Sequence, residues 1–182
     1  MRSILLVTLL AFFAQGVLSA PQARRDADVH FFQAGFGDLP EELQLAAAEG
    51  KHGLFLMFGA EDCPPCKQMK EHVLSLVAVQ DYYRAHFRVL YVDFNGDVGM
   101  TDAGGRPMRA KDYAREVARV IGTPTFVFLD GDGREVLRHA GTTRDAEEFM
   151  LLARFVVSGA YRTGRFADYR QQQSAAPAAT AR

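Results

Sequence analysis

The feature that most constrains this sequence is a pair of cysteines, Cys63 and Cys66, separated by two prolines. Before them, residues 54–58 form a wholly apolar run between two glycines, as expected of a central strand covered on both faces. After them, apolar residues recur at helical spacing as far as position 77. The cysteine pair therefore falls where a buried strand delivers the chain into a helix.

The spacing of the two cysteines favours chemistry over structural cross-linking. They are the only cysteines in the 182-residue chain, and a disulfide between them closes a very small loop, which removes little chain entropy. Thiol exchange needs one accessible sulfur held as a thiolate and a second sulfur near enough to resolve a mixed disulfide. Cys63 falls at the helix N-cap, where free N–H groups favour negative charge, and Cys66 lies one turn inside. We expect Cys63 to be the catalytic nucleophile and Cys66 the resolving residue.

The neighbours of Cys63 predict a weakly stabilised thiolate. Pro64 sits where the backbone N–H has no helical partner in any case, but Pro65 removes a donor that could have faced the sulfur. Glu61 and Asp62 add negative charge beside it. The hypothesis is that the pair is poised as a reductant or intermediate exchanger and not as a strong oxidant.

A second informative segment runs from Gly122 through Thr123 and Pro124 to Thr125, at the start of an apolar run. Proline is tolerated as the first residue of a strand, and the bond that precedes it can be cis. A plain helix-to-strand turn explains the same residues. The segment therefore indicates part of an active site only when it is considered together with the cysteine pair.

The rest of the chain predicts one α/β domain, a mixed central sheet with helices on both faces. The predicted elements are an edge strand at 29–32, a helix from Leu39 to about Glu49 after Asp38, strands at 54–58 and 87–94, a hairpin within 95–109 that turns at Ala103–Gly105, a helix at 110–120, paired strands at 125–129 and 135–139, and a helix at 145–158.

Both chain ends differ in composition from the domain. Residues 1–20 combine Arg2, an apolar run and a small-residue end, which is typical of a signal peptide; an uncleaved membrane anchor is the alternative. Residues 21–28 read as a polar linker, 29–170 as the folded domain and 171–182 as a disordered tail.

Composition and spacing exclude several other functions. The formal net charge is -1, so no basic field exists to attract nucleic acid. A zinc site is not expected, because no second cysteine pair exists and the five histidines show no ligand spacing. The cations Lys67, Lys70, Arg84 and Arg88 are expected on a solvated surface.

The Cys63-Pro64-Pro65-Cys66 motif and the Gly122-Thr123-Pro124-Thr125 segment resemble the thioredoxin superfamily, over about Phe31 to Tyr161. Within that span, residues 36–42, 54–58, 79–83 and 123–128 are similar to SoxW-like exported thioredoxins. The resemblance implies a thioredoxin fold, a cis Pro124, and a Thr123 backbone that pairs with substrate as an added strand. It also implies a periplasmic location and a membrane thiol carrier as electron source. The expected reaction, exchange between the cysteine pair and a disulfide of an exported protein, needs no bound cofactor.

Two positions depart from thioredoxin. Met57 stands where thioredoxin keeps a buried aspartate, and Asp62 replaces the tryptophan before the first cysteine. Proton transfer at Cys66 must then use another group, for which Glu61 and water are the candidates. Two alternative functions stay open, a non-catalytic binding module and a metal carrier, each for an exported partner.

Overall fold

The protein is described by a computed structural model that covers residues 22–35 and 37–175. The predicted signal peptide, and the tail beyond residue 175, lie outside the described residues. Within them, no helix has the length and apolar character needed to span a bilayer.

Helices and strands alternate along most of the chain. In chain order they are α1 (Ala27–His30), α2 (Leu39–Ala48), β1 (Gly53–Gly59), α3 (Pro64–Met69), a π-helical turn (Lys70–Leu74), α4 (Val77–His86), β2 (Arg88–Asp93), β3 (Gly99–Thr101), β4 (Pro107–Arg109), α5 (Ala110–Asp112), a second π-helical turn (Tyr113–Val117), β5 (Thr125–Asp130), β6 (Glu135–Ala140), α6 (Ala146–Val157), a 3-10 turn (Ala160–Arg162) and α7 (Phe166–Ala175).

The central sheet has the strand order β2-β1-β5-β6. β1 pairs in parallel with β2 and antiparallel with β5, which in turn pairs antiparallel with β6. All seven residues of β1 are buried, which explains its uninterrupted apolar sequence. The predicted fold class, a mixed sheet within an α/β domain, is confirmed.

The sheet separates two apolar cores. One contains both cysteines and a group of aromatic rings from β1, β5, α4 and α6, where the buried Tyr83 hydroxyl donates to the Phe149 carbonyl at 2.6 Å. The other packs α2 and the α5 region against the opposite face, around Leu54, Leu56 and Phe58. Alternate residues of β1 thus supply opposite cores, and helices cover both faces as predicted.

The predicted edge strand at 29–32 is wrong, because these residues begin within α1. Asp26 caps this short helix, since its carboxylate accepts a hydrogen bond from the Val29 N–H at 3.1 Å. β2 is therefore one edge of the central sheet. Gln33 bonds to its outer side, where its N–H donates to the Val89 carbonyl at 2.8 Å and its side-chain oxygen accepts from the Val89 N–H at 2.6 Å.

The described part of the predicted polar linker, residues 22–28, makes contacts with the domain. Arg24 donates to the Ser75 hydroxyl at 3.0 Å, and the Arg25 N–H donates to the Ser75 carbonyl at 2.8 Å. These contacts lie at a break in the helical run that follows Cys66, where Leu76 adopts an extended conformation before α4 begins. Neither this break nor the separate helix α4 was predicted from the sequence.

Three further regions test the sequence predictions. The hairpin within 95–109 is confirmed as β3–β4, and the Gly105 N–H closes its turn by donating to the Asp102 carbonyl at 2.9 Å. The helix predicted at 110–120 ends earlier, in the π-helical turn at Val117. Helix α7 extends to Ala175, so residues 171–175 are helical where disorder was expected.

Arg88 is another correction, because its side chain is only 12% exposed and is not part of a solvated surface. Its guanidinium group donates to the buried Glu42 carboxylate at 2.8 Å and to Glu49 at 3.1 Å. The sequence could not show this, since Glu42 lies on α2 and Glu49 directly follows that helix, 46 and 39 positions away from Arg88.

Candidate active site

The cysteine pair lies at the N-terminus of α3, directly after β1 and a short loop. Cys63 is the N-cap residue, and Pro64 and Pro65 occupy the first two helical positions. Because neither proline carries an N–H, the first free helical donor is the Cys66 N–H, which donates to the Cys63 sulfur at 3.2 Å. The sequence analysis predicted this reduced set of donors from Pro65.

The two cysteines form a disulfide, with a sulfur–sulfur distance of 2.01 Å and Cα atoms 5.2 Å apart. Cys63 is 6% exposed and Cys66 3% exposed. Both residues are thus buried in the disulfide form, with Cys63 slightly the more exposed of the two, whereas the sequence predicted an accessible first sulfur. Around it, Glu61, Asp62 and both prolines are exposed.

The segment before β5 approaches the disulfide from the other side. The Thr123–Pro124 peptide bond is cis, as the sequence suggested. The Thr123 hydroxyl lies 3.2 Å from the Cys63 sulfur, to which it donates across 60 positions of sequence. The loop is held by two further hydrogen bonds, from the Thr125 hydroxyl to the Gly122 carbonyl and from the Gly141 N–H to the Pro124 carbonyl.

The backbone of Thr123 is available for pairing, since within the described residues neither its N–H nor its carbonyl takes part in a backbone–backbone hydrogen bond. Nearby, Ile121 is 97% exposed. The family resemblance pointed to the Thr123 backbone but not to its hydroxyl, for which the sequence offers only a threonine before a proline.

The surroundings of the pair differ from those of thioredoxin as the sequence indicated. Met57 is fully buried on β1 in the same core as both cysteines, so this position offers a thioether where a carboxylate would titrate. Glu61, one of the candidates for proton transfer, is exposed on the approach to α3. No cluster of three or more histidine, cysteine or acidic residues suited to a metal occurs among residues 22–35 and 37–175.

The fold and the bonded pair define a general class, that of thioredoxin-fold proteins with a disulfide-forming Cys-x-x-Cys pair, the thiol–disulfide oxidoreductase type. Residues 39–156 match the family model of the thioredoxin-like domain, which is more than half of the chain. The chain belongs to this thioredoxin-like family. No curated protein sequence matches it significantly.

Solved structures agree with this assignment. A thioredoxin from Thermus thermophilus is 36% identical, with a TM-score of 0.51 over 69% of this chain and 88% of its own. A thioredoxin-fold protein from Helicobacter pylori has a TM-score of 0.60 at 21% identity, over 80% of this chain and 89% of its own, and shows the fold alone. A candidate disulphide isomerase from Bacteroides thetaiotaomicron is 27% identical, with a TM-score of 0.51 over 73% of this chain and 98% of its own.

Proposed function

We propose that this protein reduces disulfide bonds in exported proteins through Cys63 and Cys66. The proposal rests chiefly on one observation, the Cys63 sulfur at a helix N-terminus that accepts hydrogen bonds from the Cys66 N–H and the Thr123 hydroxyl. Both donors are fixed by the backbone around them, and they are aimed at the atom on which negative charge forms when the disulfide is reduced.

The reaction proceeds in two exchanges. The Cys63 thiolate attacks one sulfur of the substrate disulfide, a bond forms between them, and the other substrate sulfur leaves as a thiolate that takes up a proton. Cys66 then loses its proton and attacks the Cys63 sulfur, which releases the second substrate thiolate and forms the Cys63–Cys66 disulfide. Two electrons pass from the protein to the substrate, and no bound cofactor takes part.

Substrate binding uses the groove beside the disulfide. An extended substrate segment pairs with the free N–H and carbonyl of Thr123, in the manner of an added strand. The Thr123 hydroxyl lies 3.2 Å from the Cys63 sulfur, which puts this segment next to the disulfide, and the exposed Ile121 offers an apolar contact in the same segment. This site would therefore recognise the substrate through its backbone, paired with Thr123, and through one apolar side chain in contact with Ile121.

We further propose that the protein is a SoxW-like thioredoxin of the bacterial periplasm. The N-terminal signal-peptide pattern supports export, and residues 36–42 and 79–83 support the SoxW-like subtype. A membrane thiol carrier would then return the oxidised pair to the dithiol form. Detection of the mature chain in the periplasmic fraction, with loss of residues 1–20, tests the location; retention in the membrane fraction would favour the anchor.

Trapping with a Cys66→Ala variant tests the reaction. This variant should accumulate mixed disulfides through Cys63, whereas a Cys63→Ser variant should form none. A non-catalytic binding module would give non-covalent complexes in both variants, and a metal carrier would copurify with stoichiometric zinc or copper. The reduction potential should lie below about -180 mV, the range of an isomerase, and a higher value contradicts the proposed direction.

A further inference from the structure

We propose that Lys70 is the positioning residue that prepares Cys66 for the second exchange, because its ammonium group stabilises the Cys66 thiolate. The proposal rests on the function proposed above and identifies a group for the step that the sequence left open. Met57 carries no charge, and Glu61 is exposed, so neither supplies a sheltered charge next to Cys66.

The helix brings Lys70 to the same side as Cys66. Lys70 follows Cys66 by four positions, and its N–H donates to the Cys66 carbonyl, so helical geometry is kept between the two residues. Residues four apart on a helix have Cβ atoms about 5–6 Å apart. Helical side chains also lean toward the N-terminus, which directs the Lys70 stem toward Cys66.

Two other elements hold the ammonium group in place. Its nitrogen lies 2.6 Å from a carboxylate oxygen of Asp28 on α1. It also lies over the Tyr91 ring of β2, 4.7 Å from the centroid, and 5.7 Å from the Phe32 centroid. Both rings pack in the core that contains Cys66. Lys70 is therefore fixed between the aromatic edge of that core and a surface carboxylate.

Burial decides which charge acts on the sulfur. The Lys70 side chain is 25% exposed, but Asp28 is 64% exposed, so water screens the carboxylate more than the ammonium group. Burial raises the pKa of Tyr91 to about 12, with Asp93 and Asp28 adding to the effect, so this ring stays neutral while a thiol titrates. Of the two charges in the Lys70–Asp28 pair, the cation of Lys70 is therefore the more sheltered from water.

Lys67 provides a matched comparison on the same helix. It directly follows Cys66, yet its side chain is 77% exposed and only approaches Glu71, at 3.8 Å. Glu71 is 53% exposed and His72 is also exposed, so both lie on the solvent side of this helical run. Because water screens the charge of Lys67, its removal should have little effect on the Cys66 thiolate. Removal of the less exposed Lys70 charge should have a larger effect.

The chemical step is the attack of Cys66 on the mixed disulfide. Cys66 gives its proton to solvent, its thiolate bonds to the Cys63 sulfur, and the bond from Cys63 to the departing thiol breaks; that thiolate regains a proton. Lys70 keeps its own proton throughout and acts only by attraction on the Cys66 thiolate.

The test separates the two exchanges with dithiobis(nitrobenzoate), a disulfide whose thiolate product is coloured. The reduced protein is mixed with one equivalent at acidic pH, where Cys63 takes up one half of the reagent and Cys66 remains protonated. The pH is then raised in a stopped-flow instrument, and the second release of colour reports the attack by Cys66. The variants are Lys70→Met, Lys70→Arg and Lys67→Met.

In Lys70→Met the second release should slow about tenfold near neutral pH, and the midpoint of its pH profile should rise by about one unit. Lys70→Arg and Lys67→Met should each stay within about twofold of the wild type. Equal rates in Lys70→Met and wild type would overturn the proposal, as would equal slowing in all three variants. If the wild type never forms the first adduct, the proposed function itself fails, and the role of Lys70 fails with it.

Discussion

The hydrogen bond from Thr123 to the Cys63 sulfur should make the disulfide easier to reduce. The hydroxyl lies 3.2 Å from the sulfur, and valine replaces it with a methyl group of similar size. A hydrogen bond to a charged acceptor contributes about 1.5–3 kcal/mol, and one between neutral groups contributes about 0.5–1.5 kcal/mol. From the middle of each range, the Thr123→Val variant therefore loses about 1.3 kcal/mol more from the thiolate than from the neutral disulfide.

For a two-electron couple this energy corresponds to a reduction potential about 30 mV lower than that of the wild type. Equilibration with mixtures of reduced and oxidised dithiothreitol, followed by alkylation and mass spectrometry, measures this difference in reduction potential. Alkylation of Cys63 in the reduced protein should also slow several-fold at mildly acidic pH, because less thiolate is present.

A matched control is Thr142→Val, since Thr142 is an exposed threonine in the loop after β6. Its potential should equal that of the wild type. If Thr123→Val has an unchanged or higher reduction potential, the hydroxyl does not stabilise the Cys63 thiolate.

Three further predictions concern stability. Gly53→Ala should destabilise the fold by about 3 kcal/mol or more in denaturant titration, because φ is 143° and a Cβ atom would lie 2.1 Å from the Leu129 carbonyl oxygen; Gly50→Ala, with φ of 68° but open space, should cost only about 1 kcal/mol. Arg119 has a φ of 50°, in the left-handed region that favours glycine. Arg119→Gly should raise the free energy of unfolding by about 1 kcal/mol and Arg119→Ala should leave it unchanged, as measured by thermal unfolding. The pKa of Glu148 is lowered, chiefly because its carboxylate accepts a hydrogen bond from the Arg144 N–H. The ionised carboxylate therefore stabilises the fold above about pH 4.3, and this contribution is lost as the pH falls through the lower pKa of the folded state. In the Glu148→Gln variant, the free energy of unfolding should fall less steeply as the pH is lowered.

Local sequence signals predicted most of the fold. Asp38 and Asp145 cap α2 and α6, where their carboxylates accept hydrogen bonds from the N–H groups of Glu41 and Glu148. The turn that starts at Asp130 joins β5 and β6 as its glycines suggested. These features depend on residues within four positions of each other, so the backbone needs no distant partner to form them.

Signals that depend on distant partners were missed or misread. Arg88 was expected in solvent because its charge is visible in the sequence, whereas its partners, Glu42 on α2 and Glu49 at the end of that helix, are distant along the chain. Residues 29–32 have the composition of a strand, but the cap at Asp26 and packing of Phe31 against the aromatic core favour a helical turn. The composition of a segment shows that its side chains can be buried, but packing against the rest of the core determines whether they are buried in a strand or in a helix.

The sequence by itself determined the chemistry of this protein, because two cysteines at the spacing of one helical turn can exchange thiols wherever that helix lies. Tertiary structure decided the environment of the two sulfurs. It placed the Thr123 hydroxyl beside Cys63 and the ammonium group of Lys70 between Asp28 and Tyr91. Hydrogen bonds and charges act over a few ångströms, and residues this far apart in sequence come within that range only when the sheet and its helices have packed.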